Sequence, residues 1–163
     1  MDDLLNPHRK WMKAALREAE RAFEANEVPV GAVVVRGNVI VGRGHNMVER
    51  LEDPTAHAEL IAITAACSTM GTKRLTGCTL YVTLEPCPMC AGATVLARLD
   101  RIVFGAFDEK AGAASTLFNI PQDPRLNHRA EIISGIEEER CVDLLQDFFR
   151  RKRTQGGDLT SDA

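Results

Sequence analysis

Two short stretches hold the residue types that do chemistry: His57-Ala58-Glu59 and Pro86-Cys87-Pro88-Met89-Cys90. One histidine and two cysteines suit tetrahedral Zn2+ with one coordination position left open. A structural zinc site normally closes with a fourth Cys or His, and none stands at a motif spacing. The pattern places His57 in the first turn of one helix and Cys87 and Cys90 at the start of another. Positions i and i+3 share a helical face, so both sulfurs can reach one ion. The partial positive charge of a helix N-terminus favours thiolate over thiol. Two thiolates and a neutral imidazole balance the charge of Zn2+, and water is the expected fourth ligand, activated by the metal. Glu59 faces another direction from His57, so it need not be a ligand and can shuttle a proton. An acidic residue early in a helix also stabilises the macrodipole, by about 0.3–1 kcal/mol; beside a metal triad the proton role is the stronger reading. Cys87-x-x-Cys90 alone also reads as a dithiol redox pair. That reading leaves His57 and Glu59 without a task.

The remaining residues must position these. At 163 residues the chain suits one domain with its own core. Hydrophobic residues at 45% and charged residues at 26% exclude a disordered chain, a collagen and a small disulfide scaffold. No apolar run reaches the roughly 20 residues of a membrane span. The first residues lack a basic segment followed by an apolar one, so the expected location is the cytoplasm. The five cysteines are Cys67, Cys78, Cys87, Cys90 and Cys141. An odd count in a cytoplasmic chain favours metal or redox chemistry over structural disulfides. A net charge of -3 argues against general nucleic-acid binding and leaves local basic patches open.

Asn6-Pro7 reads as a helix start, followed by an apolar stripe of Trp11, Ala15, Ala19 and Ala22. Residues 30–35 and 39–41 read as a hairpin turning at Arg36-Gly37-Asn38. A helix is expected from Asp53-Pro54-Thr55 to about Cys67, then a strand at 79–83 and a helix from about Pro88 to Leu99. A strand at 101–105, a short helix over 114–120, a strand at 130–133 and an amphipathic helix from about Glu137 to Arg153 complete the order. Elements that alternate after the hairpin imply an α/β fold, a mixed sheet with helices on both faces. One domain is expected over 1–153. The first five residues look loose, and a disordered tail is expected over 154–163.

His-x-Glu followed by Pro-Cys-x-x-Cys is the known signature of zinc nucleobase deaminases, with the tRNA-acting adenosine deaminases among its recognised members. Further stretches extend the match: Glu27-Val28-Pro29-Val30-Gly31-Ala32, His45-Asn46, Leu80-Tyr81-Val82-Thr83-Leu84-Glu85, Val103-Phe104-Gly105-Ala106 and Asn127-His128-Arg129. From about residue 8 to 153 the chain resembles the bacterial tRNA-specific adenosine deaminase family. The resemblance implies a cytidine-deaminase-like three-layer fold with a five-stranded mixed sheet, and a homodimer. It implies deamination of adenosine to inosine at the wobble position of a tRNA anticodon stem-loop. One Zn2+ per subunit would sit on His57, Cys87 and Cys90, and Glu59 would carry the proton to N1 of adenine and to the leaving amine. Asn46 would donate to N7, Pro29 and Val30 would wall the base pocket, and a backbone amide near Ala58 would steady the tetrahedral oxygen. Asp108 would meet the RNA near the target. Phe149 would flank a nucleotide, and Arg150, Arg151, Lys152 and Arg153 would meet phosphates. Asn127, His128 and Arg129 would order a loop, with His128 outside the metal set.

Two other functions fit part of this pattern. A deaminase of a free base or nucleotide, such as guanine or deoxycytidylate, would use the same zinc chemistry. The basic C-terminal helix argues against it. A catalytically dead zinc-dependent RNA-binding module would have no need of Glu59.

Overall fold

The computed structural model describes residues 6–156. The expected loose N-terminus, residues 1–5, lies outside the described residues, as do 157–163 of the expected tail.

Asn6 caps the first helix, α1 (Pro7–Glu24), with its side chain accepting from the amide of His8. Strands β1 (Gly31–Arg36) and β2 (Val39–His45) form the hairpin. A short helix α2 (Val48–Leu51) follows, then α3 (Ala58–Met70), β3 (Cys78–Leu84), α4 (Pro88–Leu96) and β4 (Arg101–Ala106). A 3-10 turn at Ile120–Gln122, strand β5 (Glu131–Ile133) and helix α5 (Glu138–Gly156) end the described chain. The sheet order is β2-β1-β3-β4-β5. β1 is antiparallel to both neighbours, and β3, β4 and β5 run parallel.

The sheet separates two apolar layers because successive strand residues face opposite sides. Ala32 and Val34 join Leu80, Val82 and Phe104 beneath α3. Val33 and Val35 join Tyr81 and Val103 beneath α1 and α5. Small residues set the spacing between layers. A Cβ on Gly42 or Gly44 of β2 would overlap backbone atoms of Ala58, Ala62 and Ala66. Helix α3 therefore lies directly on the strand, and its N-terminus reaches the edge where β2, β3 and β4 end.

Four expectations change. Residues 53–56 are not helical. The Asp53 side chain accepts from the Thr55 amide and hydroxyl, and helical bonding begins only when Ile61 donates to His57. His57 is thus the cap residue of α3 rather than part of its first turn. Helix α4 stops at Leu96 rather than Leu99. Arg98 takes a left-handed conformation (φ 59°), and the amides of Arg98 and Leu99 return to the carbonyls of Val95 and Thr94. This termination drops Leu99 into the core. Residues 114–119 form no helix: the amides of Leu117 and Phe118 both return to the Gly112 carbonyl and that of Ile120 to Ala113, not to the carbonyls four residues back, while the amides of Ala114, Ser115 and Thr116 donate to the Glu85 carboxylate. Helix α5 continues to Gly156, past the expected tail boundary at 154.

Gly44→Ala is expected to lower unfolding stability by about 3 kcal/mol in urea melts, the upper end of ordinary overpacking. Gly37→Ala, with open space around it and only a left-handed φ of 61° to accommodate, is expected to cost about 1 kcal/mol.

Candidate active site

His57 and Cys87 occupy equivalent places. Each is the cap residue before a helix, and each has extended backbone (φ -80°, ψ 149° and φ -72°, ψ 172°). The side chain of such a residue leaves the helix end instead of lying along its barrel. Pro88 is helical from the first position, which its fixed φ favours, and Cys90 follows one turn after Cys87. The helices α3 and α4 thereby present their N-termini to one point.

The Nδ1 atom of His57 lies 3.5 Å from Cys87 Sγ and 3.6 Å from Cys90 Sγ. All three donor atoms fall within 4.8 Å of one another, a group that could hold a metal ion. With Zn–N of about 2.05 Å and Zn–S of about 2.3 Å, neighbouring ligands of a tetrahedron lie about 3.6 Å apart. Both nitrogen–sulfur distances therefore match those of a tetrahedral ion. The electrostatics of the donor set agree. The hydrogen bond with Cys90 brings the Cys87 thiol down to about 4, against burial, and His57 adds to the effect. The same bond and burial push Cys90 upward. Two sulfurs so close share a proton unless a cation takes its place, as in metal–thiolate sites.

Glu59 is 4% exposed, in the first turn of α3. Burial pushes its carboxyl up to about 7, while its own backbone amide and the charge of His57 pull the other way. A carboxyl near neutrality beside three metal donors can both accept and release a proton.

Asn46 follows β2 and is buried. Its amide N–H donates to the Val30 carbonyl at 3.1 Å. Its Oδ1 accepts from the Ala58 amide at 2.8 Å. That leaves the side-chain NH2 as the available donor. The contact also corrects one expectation: the Ala58 N–H is committed to Asn46 and is not free to steady an oxyanion. Pro29 and Val30 are buried beside this pair.

A family model of MafB19-like deaminases matches residues 6–153. The tRNA-specific adenosine deaminase of Bacillus subtilis (strain 168) is 53% identical over 143 residues, covering 88% of this chain and 89% of the relative. This chain belongs to the tRNA-specific adenosine deaminase family. A solved structure from a study of A-to-I editing by tRNA:A34 deaminases at the wobble position of transfer RNA is 42% identical with a TM-score of 0.80, covering 83% of this chain and 99% of that one. The guanine deaminase of Nitrosomonas europaea is 20% identical, with a TM-score of 0.75 and coverage of 86% and 83%, and shares the fold. The five-stranded mixed sheet between helices is the fold of these deaminases.

Other anticipated residues of this deaminase lie outside the metal cluster. Asp108 turns back on its own loop, its Oδ1 accepting from the amides of Lys110 and Ala111. His128 bonds the Leu99 carbonyl, and Arg98 bonds the Asn127 carbonyl, so this loop is stitched to the corner after α4. The four cations of α5 do not form one patch, because successive helical residues point about 100° apart. Arg151 lies over the Phe23 ring at 4.3 Å and donates to the Phe23 carbonyl. Arg150 pairs with Asp147 at 3.0 Å. Lys152 lies 5.5 Å over Phe148, and Arg153 is exposed. Phe149 packs edge-on against Phe148 and is half-buried. Arg151 is thus a packing residue, not a free phosphate contact.

Among the buried carboxylates that sequence reasoning missed, Glu27 and Glu85, each 2% exposed, hold loops of the site. Both stood inside quoted apolar stretches, and a charge in such a setting signals a buried partner. Glu85, two residues before Cys87, accepts from the amides of Asp108, Ala114, Ser115 and Thr116 and from the Thr116 hydroxyl. A Cβ on Gly112 would strike this carboxylate. The Ala113 amide donates to the Pro86 carbonyl. Residues 108–116 are therefore wrapped around the segment that delivers Cys87.

Burial raises the Glu85 carboxyl, but the Thr116 hydroxyl and the backbone amides outweigh it and hold the group below its ordinary value of 4.5. A depressed folded value means that its stabilisation is complete above the ordinary value and is lost as pH falls through the lower one. Glu85→Gln turns an NH2 group toward donors and is expected to cost about 3 kcal/mol at pH 7. In acid melts the variant should lose less further stability than the wild type below pH 4.5.

Proposed function

We propose that this chain deaminates adenosine to inosine at the wobble position of tRNA anticodons, with one Zn2+ per subunit on His57, Cys87 and Cys90. The observation that carries the reading is a buried carboxyl set beside a three-donor metal cluster, in a chain 53% identical to a tRNA-specific adenosine deaminase. Zinc held there would supply a water acidic enough to attack at neutral pH. Glu59 moves a proton to N1 of adenine and then to the departing amine, so that water and adenosine become inosine and ammonia. The Asn46 NH2 group donates to N7, and the Ala58 amide fixes that side chain by holding its oxygen. Pro29 and Val30 wall the base. The adenine must leave its stacked neighbours to enter, and this is easiest in a single-stranded loop.

Around the pocket, Asp108 and Phe149 meet the anticodon loop, and Arg150, Lys152 and Arg153 meet phosphates. A second copy of the chain covers the apolar groove formed by Leu60, Met89, Ala93, Val95, Leu96 and Leu126. Leu96 at 81% exposure supports that homodimer. No helix among the described residues is long and apolar enough to cross a membrane, and a tRNA substrate suits the cytoplasm.

The test is incubation with an anticodon stem-loop carrying adenosine at the wobble position, reading inosine by sequencing and ammonia by assay. Inosine at that position is expected; turnover of free guanine or deoxycytidylate with no change in the RNA would reverse the reading. Elemental analysis should give one zinc per chain, lost in the Cys87→Ala, Cys90→Ala double variant. Glu59→Gln should keep zinc and lose about 10²–10⁴-fold in single-turnover rate. Replacing Arg150, Lys152 and Arg153 with Ser should flatten the slope of log affinity against log salt by about 2 units, at about 0.7–0.9 per phosphate contact. Arg151→Ser should instead lower Tm with the slope unchanged.

A further inference from the structure

Glu27 stands in the connection from α1 to β1, and no step of the chemistry above uses its carboxylate. Its Oε1 accepts from the Glu49 amide at 2.9 Å and its Oε2 from the Arg50 amide at 2.8 Å. A carboxylate buried to this degree is costly unless its oxygens are hydrogen-bonded, and these two are bonded to backbone. Both amides belong to the segment that leaves β2 at Asn46 and enters α3 at Ala58.

That segment is closed at its base. Asn46 Oδ1 accepts from the Ala58 amide, and the Met47 amide donates to the Ala56 carbonyl at 3.0 Å. The loop meets residues 27–30 at two points: the Asn46 amide on the Val30 carbonyl and, further out, Glu49 and Arg50 on the Glu27 carboxylate. Two attachments prevent the loop from pivoting about one bond. Without the Glu27 carboxylate, the Val30–Asn46 bond is the remaining one of the two ties to residues 27–30, and the motion freed in the outer loop pulls on Asn46 against its bond to Ala58.

We infer that Glu27 is a positioning residue for base recognition, acting through the 46–58 loop to aim the Asn46 NH2 group. The inference rests on the proposed role of Asn46. It sets Glu27 apart from Glu59: Glu27 touches neither substrate nor reacting atoms, so its loss weakens binding of the base and leaves proton transfer intact. A small displacement of a positioning group is enough to be seen in kinetics.

The experiment is a double-mutant cycle on the zinc-loaded full chain, with the wobble-adenosine stem-loop as substrate. Asn46→Asp keeps an oxygen for the Ala58 amide and removes the NH2 donor. Glu27→Ala is expected to raise KM about tenfold while the saturating single-turnover rate stays within about threefold. Zinc content should be normal. In the Asn46→Asp background the same change should alter KM by less than about twofold, because the aimed donor is already gone. A full tenfold effect in that background, an unchanged KM for Glu27→Ala, or a fall in rate equal to the rise in KM would overturn the inference. Where Glu27→Ala fails to fold, Glu27→Gln, which keeps one acceptor oxygen, runs the same cycle with the same criteria. A wild-type chain that deaminates no wobble adenosine overturns the functional reading and this inference together; an active wild type with an additive cycle overturns the inference alone.

Discussion

The structure turns on two residues that end helices without belonging to them. His57 and Cys87 both have extended backbone at a helix cap, so their side chains leave the axes of α3 and α4 and meet. In a helix interior these side chains would lie along the barrel. At the caps they converge, and the Cys90 amide at the N-terminus of α4 helps hold the Cys87 sulfur as a thiolate. Cys90 joins because it follows one turn later in α4. Glu59, in the first turn of α3, is buried beside them and bonds the Cys90 side chain.

Holding two helix ends a few ångströms apart places demands on the layers beneath. The glycines of β2 let α3 rest against the strand backbone. The parallel pairing of β3 and β4 brings the exits of both strands to one edge, so Cys87 and the 108–116 loop emerge together. Loops at such an edge have little regular hydrogen bonding of their own. Here two buried glutamates supply it from inside. Glu85 gathers the amides of one loop, and Glu27 those of the other. Each carboxylate finds its donors only in the folded chain, and each loop its shape only around the carboxylate. This mutual dependence links core stability to the geometry of the site.

The C-terminal helix shows that a run of charges along the chain is not a charged surface. Phe148 is buried against Phe23, and this fixes the rotation of α5. With that rotation set, Arg151 stacks on Phe23 and lends its charge and stem to packing. Lys152 lies over the Phe148 ring, and Arg150 and Arg153 are left at the surface.

What the sequence determined by itself was whatever depends on residue type and short spacing. The donor set His57, Cys87 and Cys90 was legible because few other combinations suit one metal. The α/β class and most elements were legible from apolar periodicity and from punctuation such as Asn6-Pro7 and Gly37. Tertiary structure decided what depends on partners distant along the chain. That His57 caps α3 follows from the turn at 53–56 and the seating of α3 on Gly42 and Gly44. That residues 114–119 wrap as a loop follows from a carboxylate about thirty positions earlier, which gathers three of their amides, and from Leu117 and Phe118 returning to the Gly112 carbonyl. That Ala58 is engaged by Asn46, and Arg151 by Phe23, follows from which surfaces face each other after packing. Local propensity cannot register a hydrogen bond whose acceptor arrives only when the chain has folded, and the loops of this site are built from such bonds.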